Sequence, residues 1–334
     1  MKILLVGVGV IGTVYGTNLA AAGDTISVLA HGARTAEVAK GGLSARDVSD
    51  GSIASASVQM VSDPGADAYD VVLVAVTRDQ VAAACASLTA LAGDPTILLL
   101  GNGISRGAVS GAVRGRVCLG FPGVGGTLIG RTVDYVRIKP QPLALESIDD
   151  PRLEELAVHL SARGFAVQRV DDMDGWLKYH VVLVACICAA LYRCGCDTQR
   201  LGRDRRALHL MCAAVSEGFG SLRWQGVGGM PANLRVLHNR GLTAVAAAYW
   251  GRTMRASTGE LWFGAHARHA IAEMHALSAD VLEGVGEDDG VARLRELLAP
   301  NGWKNLRDSS LPDSVSPIGD LAKLRSRSGW SATC

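Results

Sequence analysis

Short apolar runs alternate with segments of helical spacing along the first half of the chain. Ile3–Val6, Thr25–Ala30, Val71–Val76, Thr96–Leu100 and Val117–Leu119 have the length and β-branched content of strands. Between the first two lies a helix-like segment, Ile11–Ala22, closed by Gly23, and Val81–Leu91 is a second. This alternation predicts a doubly wound, mainly parallel sheet covered by helices on both faces. Val133–Lys139 and Leu143–Ser147 look like a pair of further strands, Pro151–Arg163 like a helix, and Ala166–Val170 like one more strand.

The pattern changes after Val170. Asp171–Gly175 is polar and acidic, and helical spacing then dominates: Trp176–Arg193, Arg205–Trp224, Ala232–His238, Thr243–Trp250, Glu260–Glu283 and Val291–Leu298. The expected organisation is an α/β domain over residues 1–170, an all-α domain over 175–299, and a tail, 300–334, rich in Ser, Pro, Gly and charge. No internal repeat is visible.

Composition narrows the function. Hydrophobic residues make up 49% of the 334 and aromatics only 5%, so Val, Leu, Ile and Ala must fill the core. A net charge of +1 gives no field to hold nucleic acid or acidic lipid. The apolar start MKILLVGVGV runs into glycines with no cleavage-like site and reads as a strand. The run Val181–Ala190 is too short to span a bilayer and reads as a buried helix. With no sorting or membrane signal, a cytoplasmic site is expected. Cys186 and Cys188 sit inside an apolar helical run where i and i+2 diverge, so these cysteines are expected to be core residues and no metal is expected.

The chemistry begins at Gly7-Val8-Gly9-Val10-Ile11-Gly12, between the first strand and the first helix. Gly7 permits a tight turn, Gly9 lets the backbone approach a pyrophosphate, and Gly12 lets helix and strand pack closely. The N–H groups of Val10 and Ile11 lie at the helix N-terminus, where phosphate binds. These are the marks of a Rossmann dinucleotide-binding domain. The second strand ends in Leu29-Ala30-His31-Gly32-Ala33-Arg34, without the carboxylate that takes ribose hydroxyls in NAD sites. Arg34, with His31, suits a 2′-phosphate instead, which points to NADPH (NADP+) as the cofactor.

With these residues in place the chain resembles the ketopantoate reductase family over roughly residues 1–299. The resemblance lies in the glycine loop, the strand Asp70–Val76, Gly101-Asn102-Gly103, the run Leu119–Gly126, and Trp176-Leu177-Lys178 opening the long helix. It implies a Rossmann domain before an all-helical domain, NADPH-dependent reduction of a 2-oxo acid, and a homodimer. The family's catalytic lysine matches Lys178 and its asparagine after the fifth strand matches Asn102. The residues agree: a lysine near the N-terminus of an apolar helix opposes the helix dipole and is expected to be desolvated, which suits proton donation to a carbonyl oxygen. Asn102, between two glycines at the carboxyl edge of the sheet, lies where open α/β sheets bind ligands.

The departures concern the substrate. The family's asparagines one and two turns beyond the lysine match Val182 and Cys186. Its acidic residue falls at Gly259, with Glu260 adjacent, and its lysine after the fourth strand is replaced around Thr77-Arg78. Ser257 and Thr258 precede Glu260 and fit either a helix cap or a substrate contact. A buried hydroxyl is poorly served by Val and Cys, so a larger or more apolar carbonyl substrate is expected. Imine reduction on the same frame and a non-catalytic NADP(H)-binding sensor are the rival readings. Two lesser signals remain. His266, His269 and Glu273 share a helical face, read as solvated, and Phe121–Gly126 reads as a glycine-rich loop bordering the cleft.

Overall fold

The computed structural model describes residues 1–299 except 31, 33, 104, 105, 107–112, 140, 239 and 286–288. His31 and the 300–334 tail therefore lie outside the described residues. In chain order the first part contains β1 (Lys2–Val6), α1 (Val10–Ala21), β2 (Thr25–Leu29), α2 (Thr35–Gly41), β3 (Leu43–Asp47), β4 (Ile53–Ala56) and β5 (Gln59–Met60). Then come β6 (Val71–Val74), α3 (Val81–Ser87), β7 (Thr96–Leu100), β8 (Arg116–Phe121), β9 (Val124–Ile129), β10 (Thr132–Arg137), β11 (Leu143–Glu146), α4 (Pro151–Ala162) and β12 (Val167–Val170). Helices follow: α5 (Met173–Arg193), α6 (Thr198–Arg203), α7 (Arg205–Trp224), α8 (Ala232–Leu237), α9 (Thr243–Arg255), α10 (Ser257–Gly259), α11 (Ala265–His269), α12 (Ile271–Gly284) and α13 (Ala292–Leu298).

Eight strands form the main sheet in the order β12-β11-β8-β7-β6-β1-β2-β5. All its pairings are parallel except β11 with β8. The order reverses direction at β1, which lies between β2 and β6, so the ends of β1 and β6 form the switch point where such sheets bind ligands. Both faces are apolar. Ile3 and Leu5 join the cluster that includes Val14, Tyr15 and Leu19 of α1, while Leu4 and Val6 join the opposite cluster with Val72, Val74 and Leu99. A strand buried on both sides reads as a continuous apolar run, which is why these strands were legible.

A second, four-stranded sheet, β4-β3-β10-β9, was not expected. The two strands read as a pair divide between the sheets: β10 joins β3 and β9, and β11 joins the main sheet. Part of the expected glycine-rich loop is β9. A Cβ on Gly125 would meet the Leu261 carbonyl oxygen at 2.6 Å, and one on Gly126 would meet that of Asp134 at 2.4 Å. Glycine in this strand marks close backbone approach rather than a loop.

The expected helix Glu260–Glu283 is also interrupted. A π-helical turn spans Glu260–Gly264, α11 ends at His269, and Ala270 precedes α12. Helix α5 links the two cores. Met173, Trp176 and Leu177 pack with the main sheet, whereas Tyr179–Tyr192 belong to the helical cluster. By length and composition α5 could cross a membrane, but 94% of its most apolar window is buried inside the protein, as in a core helix. Seven described cysteines are free and buried, and no group of three or more metal-ligating side chains occurs among the described residues.

Candidate active site

The glycine loop closes the end of β1 against its neighbours. The Gly7 N–H donates to the Leu29 carbonyl at 3.3 Å, and Gly7 adopts φ +95. A Cβ there would lie 2.5 Å from the Ala75 carbonyl oxygen, and one on Gly12 would lie 2.1 Å from that of Gly7. Nothing lies within 4 Å of the Cβ direction of Gly9. Helix α1 has no side-chain N-cap bond and no acidic residue in its first turn. Its first N–H groups thus have no intrahelical acceptor, and the space over Gly9 leaves room for a pyrophosphate. The loop therefore fits a dinucleotide.

Arg34 lies against this loop. Its guanidinium donates to the Val8 carbonyl and, at 3.4 Å, to the Thr13 hydroxyl, while its Nε is buried without a partner. Burial lowers its pKa, and Glu37 opposes that shift. A guanidinium half-removed from water, with one N–H unsatisfied, has capacity for an anion.

Two further loops meet at the carboxyl edge of the sheet. Thr77, exposed after β6, precedes a 3-10 turn, Arg78–Gln80. Asn102, 9% exposed, follows β7. Glu273 of α12 lies near both loops, where Arg78 and Asn102 influence its carboxyl. Burial pushes the Glu273 carboxyl up, and nearby Arg78 and Asn102 oppose that shift. Asn102 Oδ1 is buried with no partner. Leu277 and Asp280, one and two turns further along α12, meet the same loops. A Cβ on Gly103 would lie 2.6 Å from Leu277 Cδ2, and Asp280 pairs with Arg78. Glu273 was assigned at sequence level to a solvated face. Its spacing with Leu277 and Asp280 was the available signal, and the loops that those two residues meet were not.

Arg106 pins the Asn102 loop to α5. It pairs with Glu146, donates to the Val117 carbonyl at 2.9 Å, and its Nε lies 3.9 Å from Asp174 in the first turn of α5. Lys178, one turn beyond Asp174, is exposed like it, so the burial expected of this lysine is not observed. On the opposite side of this turn His180 is buried. Its ring lies 5.2 Å from Trp176, stacked at 2°, and 3.9 Å from Phe121 at the end of β8. Burial, with nearby His266, depresses its pKa to about 3, leaving a neutral imidazole. The Trp176/His180 spacing of one turn was readable, but the apolar run around it concealed the ring stack.

The remaining candidates disperse. Val182 is 3% exposed and packs on α7, where a Cβ on Gly218 would meet its Cγ1 at 2.6 Å. Cys186 is fully buried, near Cys212, Glu217 and Cys188, and burial drives its thiol pKa upward. Glu260 pairs with Arg268. Ser257 lies in α10, whose N-cap, Ala256, makes no side-chain bond. Thr258 lines a cavity of about 520 Å³ with Lys139, Tyr249, Arg252, Thr253, Ala256 and Trp262.

Comparison with known proteins agrees with this frame. Residues 3–133 match the family model described as ketopantoate reductase PanE/ApbA. No curated protein sequence matches the chain. A PanE/ApbA family ketopantoate reductase from Ralstonia eutropha JMP134 has a similar structure, with TM-score 0.70 and 22% identity, covering 92% of this chain and 100% of that one. A D-mandelate dehydrogenase in a ternary structure with NADH and anilino(oxo)acetate gives TM-score 0.69 at 17% identity, covering 92% and 99%. A dimeric ketopantoate reductase from Staphylococcus aureus gives TM-score 0.64 at 15% identity, covering 91% and 99%. At these identities the solved structures establish the fold. The family match covers residues 3–133, so this part of the chain is similar to the ketopantoate reductase PanE/ApbA family.

Proposed function

We propose that the chain is an NADPH-dependent reductase of a small carbonyl compound, a 2-oxo acid or ketone bulkier or more apolar than ketopantoate. The observation that carries this reading is the switch point itself: an open glycine loop, Arg34 laid against it, and Asn102 Oδ1 buried and unpartnered after β7. Gly7, Gly9 and Gly12, with the N–H groups of Val10 and Ile11, hold the pyrophosphate, beside Thr77 at the end of β6. Arg34 exchanges the Val8 carbonyl for the 2′-phosphate, a stronger, charge-assisted partner. His31 belongs to the same phosphate site in this reading.

NADPH, when bound there, would supply the hydride for the carbonyl carbon. Lys178 gives a proton to the carbonyl oxygen, and Asn102 orients the reacting groups. Val182 and Cys186, where the family resemblance places asparagines, support an apolar substrate end, and Ser257, Thr258 and Glu260 remain the polar candidates on that side. The likeness to D-mandelate dehydrogenase favours an aromatic or branched 2-oxo acid. Lys178→Ala is expected to bind NADPH with unchanged affinity and to lose about 100-fold or more in kcat. Full kcat in that variant contradicts the role of Lys178. We also propose a homodimer formed through the helical part, supported by the dimeric Staphylococcus aureus relative and by the exposed Val236, Val245 and Tyr249.

A further inference from the structure

Helix α9 carries Tyr249, Arg252 and Thr253 near its end, at i, i+3 and i+4, and so on one face. The helix breaks at Ala256, whose ψ of 151 is extended, and the chain re-enters helix through α10 and the π-helical turn Glu260–Gly264. That break brings Thr258 and Trp262 to the same cavity as the α9 face, and Lys139, two residues past β10, lines it as well. The cavity measures about 520 Å³, a size typical of small-molecule sites. It draws on both parts of the molecule, the second sheet through Lys139 and the helices through the rest.

Its aromatic walls are braced. The π turn packs on β9, where a Cβ on Gly125 would lie 2.6 Å from the Leu261 carbonyl oxygen and 3.2 Å from Trp262 Cα. The Trp262 ring meets Phe263 edge-on at 6.2 Å, and Tyr249 meets Trp250 edge-on at 5.3 Å. The charge is one-sided. Arg252 and Lys139 are both exposed, no carboxylate is among the lining residues, and neither cation has an ion pair among the described residues. Glu260, the carboxylate nearest to Trp262 in the sequence, is committed to Arg268. Exposed cations alone are ordinary surface. Two of them beside two braced aromatic rings suit an anion with an apolar body.

We propose that this cavity binds a small carboxylate with an aromatic or branched apolar body. The carboxylate is held by Arg252 and Lys139, and the body lies against Trp262 and Tyr249. The site does not depend on the reductase reading, because it needs neither NADPH nor Lys178. Tyr249 also belongs to the surface proposed for a second copy, so the full chain is tested in the assembly it forms.

Phenylacetate is the probe, since it has the acid and the ring but no ketone to reduce. The Trp262 indole N–H is buried without an acceptor, and its 15N-correlated NMR resonance, identified by its loss in Trp262→Phe, reports on the cavity. Titration with phenylacetate is expected to shift it saturably, and added salt should weaken the binding. Phenylacetamide, alike in shape but uncharged, should bind less tightly. Arg252→Gln, at an exposed position and with unchanged thermal melting, should weaken phenylacetate by about fivefold or more. No saturable shift at millimolar phenylacetate overturns the proposal, and so does equal affinity for phenylacetamide or in Arg252→Gln. Lys178→Ala is expected to bind phenylacetate as the wild type does. Loss of binding there, with none in Arg252→Gln, would place the acid in the reaction cleft and overturn this site. No turnover is read, so failure of the reductase reading leaves the result standing.

Discussion

The proposed cofactor preference rests on one side chain, Arg34. Its guanidinium lies at the glycine loop on the Val8 carbonyl, and the nearest carboxylate after β2 is that of Glu37 in α2. A charge-assisted bond to a 2′-phosphate contributes about 1.5–3 kcal/mol, roughly a 10- to 100-fold effect on affinity. Arg34→Ala is therefore expected to weaken NADPH binding by about that factor and to change NADH binding little, as read by fluorescence titration. Equal losses for both cofactors would make Arg34 a loop brace alone. Gly7, Gly9, Gly12 and Arg34 were legible because their contacts are local and their spacing has a fixed meaning. The face of α12 was not, because Leu277 and Asp280 meet Gly103 and Arg78, which lie far earlier in the chain.

Elements explain what could be read and what could not. The long strands of the main sheet are apolar on both faces, and α1, α4 and α5 follow helical spacing, so their positions were legible. The second sheet was not: β3 and β4 are short and rich in Ser and Ala, and two glycines follow Val124 in β9 and resemble a turn. Helix α5 has its own consequence for stability. His180 is held neutral with a pKa of about 3 between Trp176 and Phe121, and His238 with a pKa of about 4 against Trp250 and Phe219. Both folded values lie below the ordinary 6.5, so the unfolded chain binds more protons below that pH. Stability from these groups is full above about pH 6.5 and falls as the solution is acidified toward the folded values. Each histidine removes about 1.4 kcal/mol per pH unit within that window. Thermal melting is expected to fall by roughly 6 °C between pH 7 and pH 5. His180→Phe, which preserves the ring stack, should lessen the slope; an unchanged slope would show that His180 titrates alike in both states.

At the scale of the whole molecule, two cores meet on α5: its first turn packs on the sheet and the rest on helices. Strand β12 ends at Val170 and α5 begins at Met173, and the first turn of α5 still packs on the sheet, because Trp176 and Leu177 complete its core. The carboxyl edge of the sheet, the first turn of α5 and α12 thus converge. This convergence supports a cleft between the two parts as the site of reaction. Val236, Val245 and Tyr249 are exposed on α8 and α9, with the last two one turn apart. If this surface pairs with a second copy, light scattering should give about twice the chain mass of 34.8 kDa, and Val245→Lys should return it to the single-chain value. A single-chain mass for the wild type at micromolar concentration would remove the proposed dimer.

The most direct test of the central claim is the loss of NADPH absorbance when the purified protein meets ketopantoate and, separately, phenyl- and branched-chain 2-oxo acids. The account expects turnover that depends on the protein, prefers NADPH to NADH, and is faster with the bulkier oxo acids than with ketopantoate. Efficient reduction of ketopantoate above all others would contradict the altered pocket. No oxidation of NADPH with any of them, by a preparation shown to bind it, would contradict the proposed reductase.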